Sequence, residues 1–446
     1  MHFSSRKLLL VFILALLAAG IGQIHAQSFT FSTLAGGTPG TNDGANNSAQ
    51  FDFPSGIAVD QNGTLFVSDT LNNTIRKVAP VGTNWVVTTI AGFPALGADG
   101  STNNGTGGDA RFWRPNGLTV DRSGNIFVVD HYNHTIRKIT PVGTSWAVTT
   151  IAGLGQTIGY ADGTNSDARF STPTGIALDN TGNLIVGDTY SYTVRKITPV
   201  GTNWVVTTIA GSPFNFGFVN GTNNDAEFNL PSGVTVDRDN NVFVADFGNH
   251  AIRKITPVGT NWVVSTVAGS GNMGNANGTN SGAEFNSPAD VGIDSSGNLF
   301  VTDQFNHTIR KITPIGTNWV VSTIGGVASQ FGTNNGVNTA ARFRKPWGLA
   351  VHTNGCLFIV DYGNHAIREG VPSSNLSPPL SINVSPPNVI LSWPLSASAF
   401  ILETTGTMSS GTVWAPLTNG VVISANSFVL SQSIGTGPAF FRLHKP

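Results

Sequence analysis

Residues Pro54 to Gly92 read PSGIAVDQNGTLFVSDTLNNTIRKVAPVGTNWVVTTIAG. The stretch divides into four short β-type runs separated by turn chemistry. Gly56 to Asp60 is a short apolar run entered from a proline. Asp60-Gln-Asn-Gly63 reads as a tight turn, because glycine accepts positive φ and aspartate bonds its own backbone. Leu65 to Ser68 is the second run, and Asp69 to Asn72 a second turn. Thr74 to Val78 is the third run, and Pro80 to Asn84 a third turn. Trp85 to Ala91, rich in β-branched residues, is the fourth. No stretch carries a helical period long enough to cross between parallel strands, so the pattern predicts a four-stranded antiparallel sheet.

The same unit recurs from Pro115, Pro173, Pro231, Pro288 and Pro346. One aspartate marks the period, at Asp69, Asp130, Asp188, Asp246, Asp303 and Asp361, with spacings of 61, 58, 58, 57 and 58 residues. Four strands per unit repeated radially is the propeller solution to unpaired sheet edges. The sixth unit stops after its third strand, at Ala366-Ile-Arg368. Its missing fourth strand lies at the other end of the chain, as Phe29-Thr-Phe-Ser-Thr-Leu-Ala-Gly36. The expected fold is therefore all-β, a six-bladed propeller closed by the N-terminal strand over residues 29–371.

Composition is consistent with this. The chain has 446 residues, 53 of them Gly, one Cys, and only 11% charged residues, against about 25% in an average protein. Of the 47 charges, 11 Asp, six Arg and five Lys recur in the repeat, so 22 belong to the blade pattern. The net charge of −1 gives no basic stripe for nucleic acid. Cys356 alone excludes an intrachain disulfide framework and a cysteine zinc site. Residues 1–26 have the order of a secretory signal peptide: Arg6 and Lys7, the apolar run from Leu8 to Leu17, then Ile24-His-Ala26. The expected protein is secreted or extracytoplasmic, without a transmembrane span, and monomeric.

The stretches Gly117-Leu-Thr-Val-Asp121, Asn125-Ile-Phe-Val-Val-Asp130 and Asn133-His134-Thr-Ile-Arg137 resemble the NHL repeat. The Asn-His pair recurs at His250, His307 and His365, whereas the first unit has Asn72-Asn73 and the third Ser191-Tyr192. The resemblance implies a six-bladed propeller. It leaves the chemistry open, because such propellers serve as binding platforms, sensors, lyases and lactonases. Lyases of this type use several histidines around a central zinc. Within the ring only His131 and His352 lie outside the Asn-His positions, and they fall at its opposite ends. Lactonase-type propellers hold a divalent ion with carboxylates, usually including Glu. None of Glu227, Glu284, Glu369 and Glu403 falls on an expected inner strand. No cofactor is implied.

After the ring, residues 372–387 have a Pro- and Ser-rich linker composition. Residues 388–446 carry short strand-like runs that suggest a small β-sandwich-like module, resembling those appended to secreted bacterial proteins. Such a module would serve as a surface anchor or as a spacer.

Whatever recurs in every unit reads as blade structure. The Asn-His histidines are expected to bond turn backbone or the neighbouring blade. The aspartates of the second turn are expected to act as Asx-type turn formers, and the phenylalanines at 51, 112, 170, 228, 285 and 343 to wedge between blades. Whatever breaks the pattern marks a site. The turns after the second strand and the 17–22-residue loops between units share one end of the ring, and that end varies. Trp113 and Trp347 flank strand starts; His131, Tyr132, Tyr190, Phe247, Phe305 and Tyr362 sit in turns; Asp290 replaces a recurring glycine. These residues would form an aromatic-rimmed funnel suited to an extracellular glycan, peptide or protein, or else pack beneath the loops. Phe214, Phe216 and Phe218 would add a lip. Asp290, the one unique carboxylate near the channel, is the weak candidate for a metal in a lyase or lactone hydrolase reading.

Overall fold

The computed structural model describes residues 27–94, 102–373 and the segments 381–385, 388–394, 401–405, 415–417, 421–424, 427–433 and 440–444. The expected signal peptide lies outside the described residues. Six antiparallel sheets form the unit Ser28–Pro372. In blade one the strands run, from the axis outward, Ile57–Val59, Leu65–Asp69, Thr74–Val81, Asn84–Gly92 and Gly44–Ala45. The expected four strands are therefore five. The extra two-residue edge strand comes from the long loop before each unit, which runs to the rim, pairs there, and returns to the axis. Phe29–Gly36 pairs with Ala366–Pro372 in blade six, Thr33 opposite Arg368, so the N-terminal strand closes the ring as expected.

The core is divided among the blade interfaces. Phe51 is fully buried among Ala35 and Ile367 of blade six and Val67 and Val78 of blade one. Its five equivalents fill the other interfaces at 0–2% exposure.

The marker aspartates do more than form a turn. Asp246 accepts the backbone N–H of Asn229 on one oxygen at 2.8 Å, and Asn249 Nδ2 and Arg253 Nη1 on the other, each at 2.8 Å. Arg253 then donates to the carbonyls of Glu227 and Val219 at 3.1 and 2.8 Å, and its guanidinium lies 5.1 Å from the Phe228 ring. All six such Arg and Asp side chains are at most 1% exposed. The correction is one of kind: the aspartate is an ion-pair hub, and its arginine ties the long loop to the blade. Burial pushes the Asp246 carboxyl up to about 6, while Arg253 and the hydrogen bonds oppose it.

A second recurring contact joins consecutive blades. The residue before each strand-leading proline has φ of 44–55°, a strained conformation for a side chain. At five of the six positions its backbone N–H donates to the turn of the preceding blade. Thr172 donates to His134 Nδ1 at 3.1 Å, Ser287 to His250 at 3.0 Å, Lys345 to His307 at 3.0 Å and Phe53 to His365 at 3.1 Å. Arg114 uses Asn73 Oδ1 at 2.9 Å instead. These turn residues themselves hold φ of 52–59°, a region that His and Asn tolerate. The expected neighbouring-blade contact is thus the histidines' role.

The C-terminal strands form a four-stranded and a three-stranded sheet around Leu391, Trp393, Leu402, Leu430 and Leu443. Ser381–Ser385, inside the expected linker, is a strand paired with Asn388–Pro394. The alternation Ser-Ile-Asn-Val-Ser outweighs the surrounding proline signal.

Two outcomes follow from the recurring contacts. Arg253→Met strands a buried carboxylate and should cost about 3–5 kcal/mol in urea denaturation. Adding Asp246→Leu should recover only part of this, because the Glu227 and Val219 carbonyls stay unsatisfied. The histidine latches require an unprotonated Nδ1, and burial lowers His134, His250, His307 and His365 below their ordinary value of 6.5. Their stabilisation is present above pH 6.5 and is lost as pH falls through the lowered folded values. Replacing all four by Asn, the natural acceptor at position 73, should flatten this acid loss in melts of both proteins across pH 7 to 5. The buried aspartates shift in the opposite sense in both, so the difference isolates the histidines. An equal acid slope in the two proteins would reject the latch.

Candidate functional site

The inner strands of all six blades line an axial channel with a cavity of ≈ 200 Å³. The strands meet closely: a Cβ on Gly117 would lie 2.4 Å from the Thr174 carbonyl of the next blade. Asp290 breaks this pattern. One of its oxygens accepts the Leu349 N–H of blade six at 2.9 Å, and the other the Val291 N–H at 2.9 Å. Its own N–H donates to Thr302 Oγ1 at 3.0 Å, and that hydroxyl donates to the Trp347 carbonyl. Burial pushes the Asp290 carboxyl up to about 7. Among the described residues, no three His, Cys, Asp or Glu side chains gather into a metal-binding group. Asp290 instead braces the backbone on both sides of Gly348, next to Trp347.

The residue before each inner glycine forms a ring at the channel mouth: Ser55, Asn116, Thr174, Ser232, Ala289 and Trp347. Trp347 is the one large member. Its ring lies 5.5 Å from Tyr362 of its own blade and 6.2 Å from Phe247 of blade four, reaching past the small Ala289 of blade five. Facing it is a second cavity of ≈ 170 Å³, whose wall includes His131, Tyr190, Phe247, Asn116, Thr174 and Ser232. His131 Nδ1 lies 2.7 Å from the Pro173 carbonyl and so carries the proton, which leaves Nε2 as an acceptor. Burial lowers this histidine to about 4, so it is neutral at physiological pH. The Thr174 and Thr189 hydroxyls are 2.7 Å apart. Ser232 Oγ is buried without a hydrogen-bond partner among the described residues.

The anticipated residues thus fall into three groups. His131, Tyr190, Phe247 and Trp347 share the mouth cavity, and Asp290 and Trp347 line the channel. Phe305, 6.3 Å from Phe247, and Tyr362 flank them. Trp113 lies edge-on to Tyr132 at 5.5 Å, and Tyr132 stacks on His131 at 4.9 Å, so these two rings back the wall. Phe214, Phe216 and Phe218 line neither cavity. Phe214 meets Tyr160, Phe216 meets Tyr192, and Phe218 lies over Arg253. Sequence reasoning passed over Asn116, Thr174 and Ser232. Reading the column before the glycine across units would have found them, since it changes from one blade to the next.

Comparison with known proteins agrees with the ring. The NHL repeat family matches residues 51–78, 112–139, 228–255 and 343–369, so the chain carries NHL repeats. NHL repeat-containing protein 2 of Bos taurus is 31% identical over 312 residues, covering 63% of this chain and 41% of that protein. The chain thus spans about two fifths of that relative's length. A structural genomics protein from Bacteroides thetaiotaomicron has a TM-score of 0.58 at 22% identity, with 77% of this chain and 76% of that one covered. An auxiliary nutrient binding protein from Bacteroides ovatus has a TM-score of 0.56 at 16% identity, with 78% of each chain covered. These two likenesses are of fold.

Asp290→Gly restores the residue found at this position in the other five blades, so the backbone should accept it. The Leu349 and Val291 N–H groups lose their acceptors, at about 1–3 kcal/mol. Urea denaturation should read this loss, and unchanged stability would remove Asp290 from the bracing role.

Proposed function

We propose that this chain is a non-enzymatic binding platform, acting outside the cytoplasm, that seats a glycan or peptide at the channel mouth. The observation that carries the reading is the cavity between Trp347 and the uncharged wall of Asn116, Thr174 and Ser232. An aromatic face buries large area with few rotatable bonds. Neutral hydroxyl and amide groups orient a ligand without a buried charge to compensate. The charged template residues are consumed within the blades, which leaves binding chemistry rather than acid–base chemistry at the mouth. The Bacteroides ovatus chain of the same fold is described as an auxiliary nutrient binding protein, a role compatible with this reading. The extracytoplasmic setting rests on the charged, then apolar, order of residues 1–26.

Probing glycan and peptide arrays with the full chain tests the proposal. Trp347→Ala should weaken the bound class by about 2 kcal/mol or more, the scale of an aromatic hot spot. Trp113→Ala should weaken it less, because Trp113 acts through Tyr132 and His131. Binding unchanged in Trp347→Ala would move the ligand elsewhere.

A further inference from the structure

The mouth carries a feature that a platform for neutral ligands does not require. The six arginines of the third strands are buried on their aspartates, but Arg114 is exposed. Its guanidinium sits 4.9 Å over the Tyr132 ring, with Nη1 3.4 Å from the Tyr132 hydroxyl. Among the described residues it has no carboxylate at ion-pair distance. Its charge acts on His131 in its own blade and on Tyr362 in blade six. Blade one, between them, sets the small Ser55 in the ring of the mouth and packs Phe53 on Tyr362 at 4.8 Å. Arg114 lines neither cavity but stands over Tyr132, whose ring stacks on the His131 wall of the opening that Trp347 bounds from the other side. Lys345, two residues before Trp347, lies 5.4 Å over Phe305 and is likewise without an anion partner among the described residues. The acid on this arc is Asp52, 3.5 Å from His365. The cavity wall itself holds no carboxylate.

Resting on the platform reading above, we propose that the ligand is an acidic saccharide, a hexuronate whose ring lies against Trp347 and whose carboxylate meets Arg114. A cavity of ≈ 170 Å³ is below the roughly 300–1,000 Å³ of a drug-sized pocket, so it takes one sugar ring and leaves neighbouring units outside. The apolar face of that ring suits the indole. Its hydroxyls suit Asn116, Thr174 and the unpartnered Ser232 Oγ. A carboxylate matches the planar fork of a guanidinium in two parallel hydrogen bonds. An acidic peptide could also reach Arg114, but its carboxylate stem brings no hydroxylated ring for the wall.

Titration calorimetry on the full chain, with trimers of galacturonate, glucuronate and mannuronate and their methyl esters, decides the matter. At low ionic strength at least one acid trimer should bind about tenfold more tightly than its ester, the scale of a charge-assisted hydrogen bond. The gap should narrow with added salt. Arg114→Gln should bring the acid down to the affinity of its ester and leave the ester unchanged. Trp347→Ala, checked for folding by its melt, should weaken both. If esters and acids bind alike and Trp347→Ala weakens both, the acidic assignment falls while the platform stands. If no trimer of either kind binds, or only acidic peptides do, a saccharide at this mouth is overturned as well.

Discussion

The buried Arg–Asp pair is the interaction on which each blade depends. A charge pair taken out of water contributes little by itself, because desolvation offsets most of the Coulomb attraction. Its value here is geometric. The carboxylate satisfies a loop N–H, a turn amide and the guanidinium at once, and the guanidinium then satisfies two carbonyls of the long loop. Four groups of the loop and turn are closed by two side chains. The long loop can then run to the rim, contribute its edge strand and return without leaving unsatisfied backbone.

That return path fixes the mouth. The loop re-enters the axis through a residue with positive φ placed directly before a proline, a conformation the chain avoids unless something holds it. The latch from the preceding blade holds it. Strain at the axis is thus offset by a hydrogen bond between blades, repeated at five of the six junctions. Because backbone contacts carry this, the side chains of the same residues are free to differ: Phe53, Arg114, Thr172, Leu230, Ser287 and Lys345 all occupy one position. The variable face can vary because its backbone is the most constrained part of the ring.

Much of this was legible in the repeat. Six units, the closing strand, the wedge phenylalanines and the histidine contact to the next blade all follow from spacing and turn chemistry. The edge strands were not, because a two-residue Gly-Thr or Gly-Ala strand has no period to read. The aspartate hub was misread as a turn former. Asp69 is the last residue of its strand, just before the turn, and Val67 pairs with Arg76 across the hairpin, a register that brings the arginine beneath the aspartate. The constant seven-residue Asp-to-Arg interval was the available signal. At the site, the large deviants stood out by size. Asn116, Thr174 and Ser232 did not, because small polar residues near a strand start look like turn chemistry until the ring sets them side by side.

The position of the candidate site follows from how a near-symmetric ring acquires a function. Six equal blades would give an axial mouth lined by six equal residues, which recognises nothing in particular. Blade five breaks the symmetry first: Ala289 removes bulk and Asp290 replaces the glycine. The space released by Ala289 is what Trp347 crosses to reach Phe247. The Asp290 carboxylate holds the Leu349 backbone two residues beyond that tryptophan. The reach of the indole to Phe247 and the held backbone beside it therefore rest on two adjacent departures in blade five. The other departures on this face, such as the phenylalanines of the loop before blade four, are met by local ring contacts and open no cavity. A deviation makes a site here only where it changes the packing around the axis.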